Sequence, residues 1–427
     1  MTMPTEKILI QNFAGIREME IEVKKINVLI GPQASGKSVV AKLLYYFKSI
    51  FDQLPQSPYR ITGDEQLKEY LINSSADYFF VESSDASNFR IRYELECDFV
   101  EIKMGGSELE IDYSDVYIDI LEVKKEATKK VESIIIQKGK RFSSPAFYDP
   151  HIESHKIVLS YLKNRIDKRS AFFQQFIPAG RSLFSVLKDN LFSIISGGSG
   201  LDLFIAEFGK YYENLVYSFS LRNKKNFRED KKQELNEFRI LCQMVLKGQY
   251  SRIEDEDFLV MDDNRKIPLS MCSSGQQEFL PIFLILEELL LDESDEGETV
   301  YIEEPEAHLF PGSQKAVVEL TSLVYNSKRD NLQFFITTHS PYILTAFNNL
   351  LQAGTLAKDA SSETLEKIKE VVPESRFLYP GEVAAYSLSN GECISIIDAE
   401  TGLIDAAMID SVSEELAVQF DDLLEID

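Results

Sequence analysis

Gly31-Pro32-Gln33-Ala34-Ser35-Gly36-Lys37-Ser38 follows an apolar strand pattern, Ile26-Asn27-Val28-Leu29-Ile30, and precedes a helical one, Val39-Val40-Ala41-Lys42-Leu43-Leu44. The spacing G-x-x-x-x-G-K-[ST] between a strand and a helix is that of a phosphate-binding loop. Its glycines let backbone N–H groups turn inward onto phosphate oxygens, and the helix N-terminus adds partial positive charge. The pattern predicts that Gly31, Pro32, Gln33, Ala34, Ser35, Gly36, Lys37, Ser38 and Val39 cradle a nucleoside triphosphate. Lys37 would reach the β- and γ-phosphates, and Ser38 would offer its hydroxyl to Mg2+.

The 427 residues are too many for one simple core and suggest two or three structural units. No apolar run approaches a membrane span, and the N-terminus, Met1-Thr2-Met3-Pro4-Thr5-Glu6-Lys7, lacks the apolar core of a signal peptide. The cysteines, Cys97, Cys242, Cys272 and Cys393, form no paired motif and read as reduced thiols of a cytoplasmic protein. His151 and His155 share helical i,i+4 spacing, which suits either a metal pair or a solvated helix face. The net charge of −25 does not supply the basic footprint of a nonspecific duplex binder. The best local basic patch is Arg222-Asn223-Lys224-Lys225-Asn226-Phe227-Arg228, with Lys231 and Lys232 close behind.

The chain divides by pattern. Residues 1–115 read as an N-terminal lobe of short strands around the phosphate loop, whose helix stops before Pro55. Within it, Gly105-Gly106 reads as a hairpin turn. Residues 116–250 read as a mostly helical insertion, broken by a strand-like Phe176-Ile177-Pro178-Ala179-Gly180-Arg181-Ser182. Heptads are not sustained, so no long coiled coil is expected. Residues 251–427 resume a β/α pattern and end in a hairpin with Ser389-Asn390-Gly391 at its turn. The expected fold is α/β, a P-loop NTPase with a mixed sheet, an antiparallel β part and a helical insertion.

Three further stretches complete a site. Thr299-Val300-Tyr301-Ile302 reads as a buried strand delivering Glu303-Glu304-Pro305-Glu306. Glu303 is suited to the Mg2+ shell, and Glu304 to orienting and deprotonating the attacking water. Cys272-Ser273-Ser274-Gly275-Gln276-Gln277-Glu278 opens an apolar helix, which is either an N-cap box or a second anion site. Phe334-Phe335-Ile336 leads to Thr337-Thr338-His339-Ser340-Pro341, where His339 is positioned to reach a γ-phosphate.

In this order the motifs resemble an ABC-type ATPase head of the kind seen in Rad50, SMC and RecF proteins, and most of all the OLD-like AAA ATPases of bacteria. The resemblance makes Cys272–Gln276 the signature motif, Glu303–Glu306 the Walker B and His339 the switch histidine, with Lys37, Glu304 and His339 catalytic. It extends to Asn12-Phe13-Ala14-Gly15-Ile16, Ile177-Pro178-Ala179-Gly180-Arg181 and Glu400-Thr401-Gly402-Leu403-Ile404. It implies ATP and Mg2+ as cofactors. It also implies a head-to-tail dimer at least, in which Ser273, Ser274, Gly275 and Gln276 of one chain contact ATP held by the other. Larger rings are left open.

Departures from the family pattern are Gln33-Ala34 for asparagine-glycine, Glu303 for aspartate, and no certain Mg2+-sensing glutamine, with Gln174 and Gln175 as candidates. Only about 88 residues follow His339, without a paired Asp-x-Asp cluster, so no nuclease is expected within the chain. Stand-alone ATPases of this kind resemble sensor subunits of anti-phage systems of the PARIS and Septu types. The expected function is thus a slow, gating ATPase that holds and releases a separately encoded nuclease effector, with a phage protein as candidate trigger. The alternative is a DNA repair or recombination clamp of the RecF or Rad50 type, which leaves DNA binding open. A transporter subunit fits the motifs poorly, and no membrane partner is expected.

Overall fold

The N-terminal segment forms three strands, β1 (Glu6–Phe13), β2 (Ile16–Glu22) and β3 (Ile26–Ile30), and the last feeds the phosphate loop into helix α1 (Lys37–Gln56). These elements come from a computed structural model that describes residues 5–57, 61, 63–79, 88–106, 108–138, 150–186, 202–222, 232–254, 256–405 and 411–424. Helix α1 does not stop before Pro55 as the sequence suggests. Pro55 sits in its last turn, and Ser57 closes the end by donating its N–H and hydroxyl to the Leu54 carbonyl. A proline there forfeits one helix bond, the one back to Phe51, in a helix that stops one residue later.

Helix α2 (Asp64–Tyr78) and strands β4 (Arg90–Leu95), β5 (Asp98–Gly105) and β6 (Glu108–Tyr113) complete the first lobe. Strands β5 and β6 pair antiparallel on either side of Gly106, whose φ of +71° suits the expected tight turn. Helices α3 (Val116–Lys138) and α4 (Pro150–Arg165) follow, then β7 (Phe173–Ile177) and the short α5 (Ser182–Val186). The strand thus lies earlier than the sequence pattern suggested, and residues 178–181 turn out of it. Next come α6 (Leu203–Arg222) and α7 (Lys232–Leu246), then a three-stranded sheet of β8 (Gln249–Ile253), β9 (Glu256–Val260) and β10 (Lys266–Pro268).

The remaining elements are α8 (Ser274–Leu291), β11 (Glu298–Glu303), α9 (Pro311–Ser327), β12 (Leu332–Thr338), α10 (Pro341–Lys358), α11 (Ser362–Val371), β13 (Val383–Ser389), β14 (Glu392–Ser395) and α12 (Ser411–Leu424). Eleven strands join one sheet in the order β6-β5-β4-β1-β2-β14-β13-β3-β12-β11-β7. The β6 to β2 side is antiparallel, and β13, β3, β12, β11 and β7 run parallel. The mixed sheet and its antiparallel part are therefore as expected. The Asn390-Gly391 hairpin is too, both residues having positive φ.

Alternate residues of the parallel strands feed opposite faces, as the period of two requires. Val28, Ile302 and Phe334 join one core with Phe279 and Leu344. Leu29, Tyr301 and Phe335 join the other with Leu44 and Phe47 of α1. Covering both faces leaves the carboxyl ends of the strands as the open edge, where ligands of such sheets bind. Among the described residues no helix is long and apolar enough to cross a membrane.

Candidate nucleotide site

The phosphate loop leaves β3 between two braces. A Cβ on Gly31 would lie 2.1 Å from the Leu388 carbonyl of β13, so only glycine fits there. Ala34 (φ +59°) and Gly36 (φ +97°) turn the backbone through the left-handed region, which gathers successive N–H groups into an anion-binding concavity. Gly36 also packs under Ile16, placing the Asn12–Ile16 turn against the loop. Gln33, Ala34 and Ser38 are exposed, whereas Lys37 is 5% exposed.

Lys37 folds back over the loop. Its Nζ donates to the carbonyls of Gly31 (2.9 Å) and Pro32 (2.7 Å) and to Ser35 Oγ (3.2 Å). Burial holds its ammonium below the ordinary lysine range, opposed by the charges of Glu304 and Glu306. Glu303 pairs with Thr337 and Thr338 with Ile30, so the phosphate loop, Glu304 and His339 leave neighbouring strand ends.

Strand β11 ends as the sequence suggests, with the acids at its carboxyl end. Glu303 is buried and accepts from the Ala179 N–H (3.1 Å) through Oε2, while its Oε1 is buried without a hydrogen-bond partner. Glu304 takes φ +44° and donates its N–H to the Thr337 carbonyl of β12. Glu304 Oε1 lies 3.3 Å from His339 Nε2, and the His339 N–H donates to Glu306 Oε1 at 2.6 Å. Glu306 Oε2, like Glu303 Oε1, is buried and unpaired. Two unmatched carboxylate oxygens beside a phosphate loop suit a hydrated divalent cation. Among the described residues no group of three or more His, Cys, Asp or Glu is arranged to hold a metal ion. A Mg2+ here would thus draw most of its ligands from the nucleotide and water. His155 Nε2 lies 3.0 Å from Asp52 Oδ1, away from this constellation.

The second predicted anion site is an N-cap. Ser273 and Gln276 form a reciprocal capping box at the start of α8, and the Gln276 side chain donates to the Leu246 carbonyl. A Cβ on Gly275 would come within 2.5 Å of the His308 carbonyl. The glycine therefore lets α8 approach the loop that follows Glu306. Ser274 begins the helix and is exposed.

Two candidates do not reach the site. Gln174 and Gln175 of β7 pair in register with Thr299 and Val300, short of Glu303 along β11. At about 3.3 Å per residue they sit on the order of 10 Å behind the acids. Gln174 is held there by Phe172 and Tyr301. The basic stretch at 223–231 lies outside the described residues.

The sequence assigned no role to two residues that the structure brings in. Glu306 sets the His339 backbone, and its only signal was its place in the Glu303–Glu306 run. Arg181 is fully buried and donates to the carbonyls of both Glu303 and Glu304; its only signal was its place in a familiar turn.

A protein-family model described as "AAA domain, putative AbiEii toxin, Type IV TA system" matches residues 26–345, most of the chain, and the chain belongs to that family. The match begins at β3 and spans every motif from the phosphate loop to His339. No curated protein matches. Among solved structures, the chain is similar to an SMC head domain from Thermotoga maritima at 11% identity, covering 92% of this chain and 98% of that one, with a TM-score of 0.36. It is also similar to a Pyrococcus furiosus Smc head bound to the C-terminal domain of ScpA, at 12% identity, 97% and 100% coverage and a TM-score of 0.40. A RecF recombination mediator matches at 14% identity, 92% and 98% coverage and a TM-score of 0.30.

Proposed function

We propose that this member of the AAA-domain family is a Mg2+-dependent ATPase whose slow hydrolysis gates an assembly of at least two copies, and that the assembly holds a separately encoded toxic effector in anti-phage defence. One observation carries the ATPase reading: Lys37, Glu303, Glu304, Glu306 and His339 converge at the carboxyl edge of three adjacent parallel strands.

In this reading phosphate oxygens replace the Gly31 and Pro32 carbonyls as partners of Lys37, and the 31–38 backbone cradles the phosphates. Ser38, and Glu303 through water, would hold Mg2+, which when bound would neutralise charge on the triphosphate. Glu304 orients a water and takes its proton as the oxygen attacks the γ-phosphorus, with ADP as leaving group. His339 Nε2, near Glu304 Oε1, steadies that carboxylate and faces the transferred phosphate.

The assembly reading is supported by what surrounds the site. Met271 (78% exposed), Phe310 (81%) and Tyr342 (55%) stand beside the capping turn of α8, the start of α9 and the start of α10. Large apolar side chains around a polar site suit a protein partner. A second copy offering Ser273, Ser274, Gly275 and Gln276 would place a helix N-terminus on the γ-phosphate. Removing that phosphate would then loosen the interface. The effector reading is supported by the toxin and toxin–antitoxin description of the family and by the net charge of −25, which suits a basic partner.

The test is a tagged Glu304→Gln protein, expressed with its native flanking genes and purified in ATP and Mg2+. A stoichiometric nuclease-like protein in the eluate is expected. Nuclease-sensitive DNA with no protein partner would overturn the effector reading.

A further inference from the structure

Arg181 has no exposed surface, yet it carries a full positive charge at any physiological pH. Such burial is unfavourable unless nearly every donor is matched. Here Nε donates to the Glu278 carbonyl of α8 (2.8 Å), Nη1 to the carbonyls of Pro178 (3.1 Å) and Glu303 (2.7 Å), and Nη2 to the carbonyl of Glu304 (2.9 Å). Its nearest counter-charge is Glu278, whose Oε2 lies 3.6 Å from Nε and whose Oε1 accepts from Ser182 Oγ. One planar group therefore grips three pieces of chain: the 178–181 turn, the end of β11, and α8.

Two features of the gripped segments matter. Glu304 is a non-glycine residue at φ +44°, a backbone state held only where its surroundings impose it. The Ala179 N–H, one residue after the gripped Pro178, fixes Glu303 through Oε2. The same guanidinium thus sets the peptide planes on both sides of Glu304. It also binds α8 one turn after the Ser273–Gln276 cap.

We infer that Arg181 is a positioning residue that aims Glu304 at its water and ties the acid pair to the capping end of α8. This rests on the reading that Glu304 activates water. Movement of α8 against a second copy would then be felt at Glu304 through one rigid fork. A lysine cannot reproduce that geometry, because its single nitrogen cannot span carbonyls that diverge in direction.

The experiment compares wild type, Arg181→Lys and Glu278→Gln in the full chain. It measures nucleotide affinity with a fluorescent ATP analogue, steady-state turnover, and melting temperature. Glu278→Gln leaves the guanidinium buried without its nearest counter-charge, which loosens its hold on the four carbonyls, so it remains informative if Arg181→Lys does not fold. Arg181→Lys is expected to bind nucleotide within about threefold of wild type while kcat falls by about 100-fold, as small misplacements of catalytic groups do. Glu278→Gln is expected to lower kcat by about tenfold at unchanged affinity. Wild-type kcat per folded molecule in either variant, or affinity and turnover falling together, assigns a merely structural role and overturns the inference. If wild type shows no turnover with ATP, the ATPase reading falls and this inference falls with it.

Discussion

At the scale of single residues, the site depends on atoms that are absent. Gly31 and Gly275 each stand where a methyl would strike a carbonyl, of Leu388 and of His308 respectively. Gly31→Ala should displace the loop from β13, weakening nucleotide binding by more than about tenfold in a fluorescence titration, since the cradle depends on exact backbone placement. Ala34→Gly should behave oppositely: φ of +59° is easier for glycine, so binding and turnover should stay near wild type. The loop was legible because its chemistry is contiguous, with phosphate contacts, turn and helix start all written within residues 31–38. The Mg2+-sensing glutamine was not. Gln174 and Gln175 look suitable in sequence, but only the register of β7 on β11 shows that they stop short of the acids. Arg181 was equally hidden, because its partners are carbonyls that any sequence would provide.

At the scale of elements, the buried Glu6 and the half-buried Glu298 make the fold pH-dependent in opposite senses. Glu6 of β1 is enclosed by Lys48 of α1 (2.6 Å), Arg169 (3.1 Å), Gln333 of β12 and Tyr93 of β4. Burial alone would raise its carboxyl, but Lys48 and Arg169 bring it below the ordinary value. A depressed acid contributes stability above its unfolded pKa, and that contribution is lost as the pH falls below about 4.5. Glu6→Gln leaves Lys48 buried without its counter-charge and should cost about 3 kcal/mol by urea unfolding at pH 7. Glu298, at the start of β11, is the reverse case. Burial pushes its carboxyl up to about 7, with Lys328 opposing and Glu288, Asp292 and Glu296 adding to the rise. The native state then holds a proton that the unfolded chain releases near 4.5, so stability falls as pH rises from about 4.5 to about 7 and levels off above. Glu298→Gln should therefore gain melting temperature over wild type progressively from pH 5 to pH 8; an equal difference at both pH values would refute this. Strands and hairpins were readable where turn residues mark them, as at Asn390-Gly391. The β7 edge was misplaced because its turn, Pro178 to Arg181, is itself apolar at the start and read as strand.

At the scale of the molecule, the sheet joins parts of the chain that lie far apart. Strand β13 sits beside β3 and closes over Gly31, so the phosphate loop is complete only when residues 383–389 have come back to it. Pairing between segments so distant leaves no local signature, which is why the motifs were legible and the strand order was not. The proposed joining of copies by ATP, and their release on hydrolysis, is also a property of the whole molecule. The exposed Met271, Phe310 and Tyr342, at the capping turn of α8 and the starts of α9 and α10, offer the surface for that joining. The direct measurement is light scattering on the Glu304→Gln protein, with and without saturating ATP and Mg2+. With nucleotide, the protein should run as an assembly of at least two chains and exceed its nucleotide-free mass. A protein that is saturated with ATP by titration yet keeps the mass of a single chain would contradict it.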